Sequence, residues 1–243
     1  MPHLSAAATL ALWQEAEPRG ALERTLVLAG AAGGVPTTVE ELARLPLGRR
    51  DERVLALHSS LGGGMLEATA RCPECGEPAE FEVDPEALSA RARDAAPPAA
   101  IEDGDHVVAW RSPDSRDVAA AAAAGDAADA ERVLFERCVT SAGELDPTAL
   151  PASVRAALAA AMADADPLAE VLVGVSCPAC GAAFAADIDV GAFVWAELQA
   201  AARRLLREVD VLARAYGWTE AEVLALDDCR RAAYLELARE ASA

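Results

Sequence analysis

The 243-residue chain sets 40 carboxylates against 21 cations for a formal charge of −19, and all the cations are arginines because lysine is absent. That balance argues against a surface that grips nucleic-acid phosphates, and four Trp, four Phe and two Tyr offer few platforms for stacking bases. No charge-free apolar run is long enough for a membrane span, and the start lacks a basic segment followed by an apolar core, so the expectation is a cytoplasmic protein with reduced thiols.

From Leu4 to Leu28 the apolar positions Leu10, Leu12, Trp13, Leu22, Leu26 and Leu28 recur at helical spacing. Pro18-Arg19-Gly20 interrupts them, which predicts two short helices. Gly30–Pro36 reads as a small-residue linker, and Thr37-Thr38-Val39-Glu40 as a helix start with an acidic first turn. Pro46-Leu47-Gly48 breaks that helix. Arg49-Arg50-Asp51-Glu52 opens another with an apolar face of Val54, Leu55, Leu57 and Leu61, stopped by Gly62-Gly63-Gly64. A phosphate-loop reading of the three glycines fails, since no Gly-Lys-Ser or Gly-Lys-Thr follows. His58 reads as a surface or core-edge residue.

Cys72-Pro73-Glu74-Cys75-Gly76 comes next, and Cys177-Pro178-Ala179-Cys180-Gly181 repeats it about a hundred residues later. A Cys-x-x-Cys turn points two sulfurs at one ion, with proline fixing φ after the first cysteine and glycine permitting a left-handed conformation after the second. Two such turns supply four thiolates, the structural zinc arrangement with no position open to substrate. The flanks, Leu66–Arg71 and Glu80–Asp84 around the first copy and Glu170–Ser176 and Ala183–Asp189 around the second, read as strands, so each copy is a hairpin with a knuckle at its tip. Phe81 and Phe184 occupy similar places beyond the second cysteines. Closing so long a loop costs only about 4 kcal/mol, whereas structural zinc contributes on the order of 10–16 kcal/mol. Cys72, Cys75, Cys177 and Cys180 are therefore the expected ligands of one structural Zn²⁺. Cys138 and Cys229 read as small buried hydrophobes.

Between the knuckles, Asp84 caps a short helix begun by Pro85, and Ala95–Asp105 reads as a linker. His106–Arg111 is a strand expected to extend one of the hairpins. Helices follow over Arg116–Ala124 and Asp126–Thr140, the latter with Val133, Leu134 and Cys138 inward. A further helix covers Pro147–Ala163, carrying Leu150, Val154 and Leu158. Asp164, Asp166, Asp187 and Asp189 lack the twelve-residue calcium-loop pattern and read as caps or turns. After the second knuckle one long amphipathic helix runs from Val190 to Tyr216, ended by Gly217. Thr219 with Glu222 forms a capping box for Glu220–Leu226, and Asp227 caps the last helix.

Pro46–Asp51, the first knuckle, Trp110–Asp117 (WRSPDSRD), Asp166–Glu170 (DPLAE), the second knuckle and Arg203–Leu237 with Tyr216-Gly217-Trp218 follow in an order that resembles the baseplate proteins of contractile phage tails and contractile injection systems. Within these, the resemblance is to the group related to the T-even phage baseplate hub assembly chaperone. It covers residues from about 46 to the end. The double knuckle departs from the T-even members and points to a zinc-ribbon-containing subgroup. The resemblance implies a non-enzymatic baseplate component or assembly factor whose partners are hub, spike or tape-measure proteins, working in the cytoplasm or within an assembled particle.

The expected fold is α+β and mainly helical: a zinc ribbon split into two knuckle hairpins, with a helical insertion and C-terminal helices. Its parts are an N-terminal helical segment (1–45), a ribbon core (46–190) with the insertion at about 112–164, and a C-terminal helical segment (191–243). Two other classes remain open at this point. A nucleic-acid-binding zinc ribbon requires a basic face around the knuckles, and a Cys-x-x-Cys thiol oxidoreductase requires an exposed, activated Cys72 or Cys177.

Overall fold

The computed structural model describes residues 3–32, 38–93, 100–103, 106–143 and 145–241. Capping chemistry close in sequence starts many of the helices. Ser5 accepts from the Ala8 N–H at the head of α1 (Ala6–Ala16), and α2 (Ala21–Ala31) follows the break at Pro18-Arg19-Gly20. Thr38 and Glu41 bond reciprocally to start α3 (Val39–Ala43). The linker expected over Gly30–Pro36 lies outside the described residues beyond Ala32, and Gly30 and Ala31 still belong to α2.

α4 (Leu47–Ser60) begins two residues earlier than Arg49, with Pro46 at its N-cap. The reason is tertiary. The first amides of a helix have no partner within it, and here Leu47 donates to the Pro113 carbonyl at 3.1 Å while Gly48 donates to the Asp166 carboxylate at 3.0 Å. Gly62, with φ +82°, ends the chain's run out of α4.

β1 (Leu66–Arg71) and β2 (Pro78–Val83) form the first antiparallel hairpin, with Phe81 opposite Ala68. α5 (Pro85–Arg93) follows, Asp84 accepting from the Glu86 N–H at 2.8 Å. β3 (Ile101–Asp103) stands where a linker was expected; the rest of that stretch, residues 95–99 and 104–105, lies outside the described residues. β4 (His106–Trp110) pairs with β3 and with β5 (Val139–Ser141) in a three-stranded sheet of its own, so it does not extend a knuckle hairpin. Its inward side chains explain the choice: Val108 and Trp110 belong to a separate core with Phe135, Leu150, Val154 and Leu158.

α6 (Ser115–Ala122) packs beside α7 (Ala127–Cys138), which with α8 (Ala152–Ala165) supplies the helices of that second core. The single helix expected over Pro147–Ala163 is instead a 3₁₀ turn, Pro147–Ala149, followed by α8. Pro151 separates them, because a residue preceding proline is driven out of the helical region, and Leu150 has ψ 139°.

β6 (Leu172–Ser176) and β7 (Ala183–Asp187) form the second hairpin. The 27-residue α9 (Val190–Tyr216) then passes through the main core, where Val194 and Leu198 meet Leu28 of α2, Leu57 of α4 and Leu66 of β1. α1 and α2 thus share a core with α4 and α9. Beyond Gly217, at φ +71°, α10 (Glu220–Leu224) and α11 (Asp228–Glu240) fold back on the end of α9 around Leu212, Val223 and Leu235. The protein is a mixed α/β fold, mostly helical, with small antiparallel sheets. Among the described residues no helix is long and apolar enough to cross a membrane.

Candidate metal centre

The two Cys-Pro-x-Cys-Gly segments fold into the same turn. In the first, Cys72 donates to the Glu77 carbonyl and Gly76 to the Cys72 carbonyl, both at 2.9 Å; in the second, Cys177 donates to Ala182 at 2.8 Å and Gly181 to Cys177 at 2.9 Å. Gly76 and Gly181 have φ +75° and +76°, a conformation that a Cβ would strain. Each turn joins the strands of its hairpin. The hairpins pack on one another through Ala79, Val175 and Ala186, with Ala70, Phe81, Val173 and Phe184 around them. Phe81 and Phe184, six and four residues past the second cysteines of their turns, thus share one contact layer that holds the tips together.

All four expected ligands meet. The Sγ atoms of Cys72, Cys75, Cys177 and Cys180 lie within 4.8 Å of one another, Cys72 being 3.7 Å from Cys180 and Cys75 3.6 Å from Cys177. A tetrahedron of thiolates at the Zn–S distance of about 2.3 Å has edges of about 3.8 Å, whereas a disulfide needs about 2.0 Å. The spacing suits a metal ion, and all six cysteines are free thiols.

Electrostatics point the same way. The Cys180 N–H, with that of Ala179, draws the Cys177 thiol down to about 7. The Glu77 N–H favours a thiolate at Cys75, but desolvation and the hydrogen bonds of the neighbouring sulfurs override it and push that thiol up to about 12. Four sulfurs so close cannot all ionise on their own, and a divalent cation removes the conflict by neutralising them together. Cys72 and Cys177 are each only 2% exposed, while Cys75 and Cys180 sit at the exposed tips. Four thiolates complete a tetrahedral shell, so such an ion would fix the shape of the two hairpins and keep no position for a substrate.

The face of the first hairpin is acidic. Glu67 stands opposite Glu82 and Thr69 opposite Glu80, all exposed. Like charges directly across a strand pair cost stability, and Arg71 is the lone cation of that hairpin.

Other polar groups were not legible as a site. Asp117, fully buried, accepts from Arg111 at 2.6 and 3.0 Å, from Arg137 at 2.8 Å and from the Asp114 N–H at 2.9 Å. Burial opposes its ionisation, yet the bonds from Arg111, Asp114 and Arg137 outweigh it and hold the carboxyl far below the usual range. Cys138 lies 3.7 Å from the same carboxylate, buried as expected, and burial pushes its thiol up to about 12. Cys229 is exposed, contrary to expectation, because its side of α11 faces solvent.

His58 is also a correction. It is fully buried between α4 and α9, edge-on to Phe193 and against Gly63, where a Cβ would overlap the imidazole. Its Nε2 lies 3.0 Å from the Glu197 carboxylate but out of line for a hydrogen bond.

The stretches Pro46–Asp51, Trp110–Asp117 and Asp166–Glu170, far apart in sequence, converge where the two cores meet. Besides the bonds from Leu47 and Gly48, Pro46 bridges to Asp114, and Arg50 binds Asp51 and reaches the Ser115 hydroxyl at 3.2 Å. Comparison of the chain with family models, with curated proteins and with solved structures finds no match.

Proposed function

We propose that the four cysteines hold one structural Zn²⁺, and that the protein is a non-enzymatic component or assembly factor of a contractile-tail baseplate, working through protein contacts. The observation that carries the zinc centre is the meeting of four sulfurs at spacings near the edge of a zinc–thiolate tetrahedron, from two turns of identical backbone geometry. The ion would tie residues 102 positions apart and so hold the two hairpins, both of which pack on the main core, against each other.

The baseplate assignment rests on the order of sequence motifs. It is supported by the way three of those stretches cooperate in one joint, which gives each a structural reason to exist in that order. The acidic face around the first knuckle favours protein contacts over nucleic acid, and the burial of Cys72 and Cys177 disfavours thiol exchange.

The test is affinity purification of the tagged protein from cells carrying its complete gene neighbourhood. Recovery of hub, spike or tape-measure proteins is the expected result. Recovery of nucleic acid in a salt-sensitive complex, or of none of these proteins, contradicts the assignment.

A further inference from the structure

Two cavities adjoin where the cores meet, on either side of the ridge formed by Ala169 and Glu170. The first, about 530 Å³, lies between α7 and α8. Its walls are open because the facing residues are small, Ala127 and Ala130 on one helix and Ala159 and Ala163 on the other, over a floor of Phe135 with the adaptable Met162 beside it. The second, about 420 Å³, reaches from the same ridge to the start of α9.

Its cations are already engaged. Arg50 is held by Asp51 and Ser115, and Arg24 lies 4.2 Å over the Trp195 ring while donating to the carbonyls of Ala16, Glu17 and Arg19. Apart from Asp51, its carboxylates have no cation among the described residues. Glu170 and Asp187 have no ion pair there, and Asp189 spends one oxygen on the Ala192 N–H at the head of α9. An apolar slot therefore sits beside a patch with unspent negative charge.

We propose that the two cavities form one docking groove for a basic segment of a partner protein. A large apolar side chain of that segment enters between α7 and α8, and a neighbouring arginine or lysine meets Glu170, Asp187 and Asp189. Charge complementarity selects this occupant: an anionic segment would face three carboxylates, and a purely apolar one would leave them desolvated without partners. The inference rests on the reading of the protein as a docking component and names the chemistry of what docks.

The experiment is selection of a library of short random peptides on the purified full-length chain, followed by titration of the enriched peptides. The expected result is enrichment of sequences that join one large apolar residue to a nearby arginine or lysine. Their affinity should fall about tenfold or more with Ala159→Trp, which fills the slot, and with Glu170→Arg, and should be unchanged by Ala160→Trp beside it. Circular dichroism of each variant verifies that it folds. Enriched peptides without a cation, binding indifferent to both groove variants, or no enrichment overturns the proposal. Failure of the affinity purification with successful peptide selection would remove the baseplate assignment and leave the groove standing.

Discussion

The backbone N–H of Gly48 donates to the carboxylate of Asp166 at 3.0 Å, across 118 residues of sequence. The bond satisfies an otherwise orphaned amide in the first turn of α4 and places a carboxylate at the positive end of that helix. It also sets how closely the two segments approach, since a Cβ on Gly48 would overlap the carboxylate.

Gly48→Ala should therefore be destabilising although alanine is the better helix former. Displacing Asp166 leaves a buried acceptor unsatisfied, at a cost of about 1–3 kcal/mol. Urea denaturation of the variant against the parent measures it; equal midpoints would show that the joint yields freely.

The pH dependence of stability should carry two opposing limbs. Asp117 has a depressed folded-state pKa, so its contribution is present above the unfolded value of about 3.9 and is lost as pH falls through the folded one. Burial raises Asp51 and Asp166, the Gly48 N–H opposing it at Asp166, so their contribution is full at low pH and is lost as pH rises above about 3.9 and through their folded values. Asp166→Asn keeps an acceptor for Gly48 and removes the charge. Thermal unfolding from acid to neutral pH should show a flatter falling limb in this variant, and an unchanged limb would place its origin elsewhere.

Asp117→Ala should rank among the most damaging substitutions outside the cysteines. It strips Arg111, Arg137 and the Asp114 amide of one shared acceptor; the two arginines are part-exposed and can turn to water, but the buried amide left without a partner costs about 1–3 kcal/mol. Denaturation of Asp117→Ala beside Arg132→Ala, whose partners Asp129 and Glu136 are exposed, makes the comparison. The second should change little.

Arg231 locks the C-terminal helices. It is 7% exposed and binds Glu208 at 2.7 Å, Asp228 at 2.6 Å and the Leu226 carbonyl at 3.1 Å. Arg231→Lys keeps the charge but cannot reproduce a fork spread over three acceptors. Hydrogen exchange should quicken in α10 and α11 and stay unchanged in the knuckle hairpins.

What the sequence disclosed was what is settled by near neighbours. The Cys-Pro-x-Cys-Gly turns, the Thr219–Glu222 capping box and the Gly217 stop are decided within a few residues, and each forms as read. The break at Pro151 was equally local, and its proline was the signal that a single helix over Pro147–Ala163 could not form. The burial of His58, the pairing of β4 with β5 and the arginines around Asp117 depend on partners distant in sequence, where periodicity carries no information. The meeting of the knuckles was legible across that distance because the chemistry of a shared ion demands it.

X-ray absorption at the zinc edge, on protein purified without added metal, tests the clamp most directly. One zinc per chain surrounded by four sulfurs at about 2.3 Å is the predicted spectrum, with both metal and shell lost in Cys177→Ser. Folded protein free of zinc, or a zinc shell rich in oxygen and nitrogen, would contradict the account.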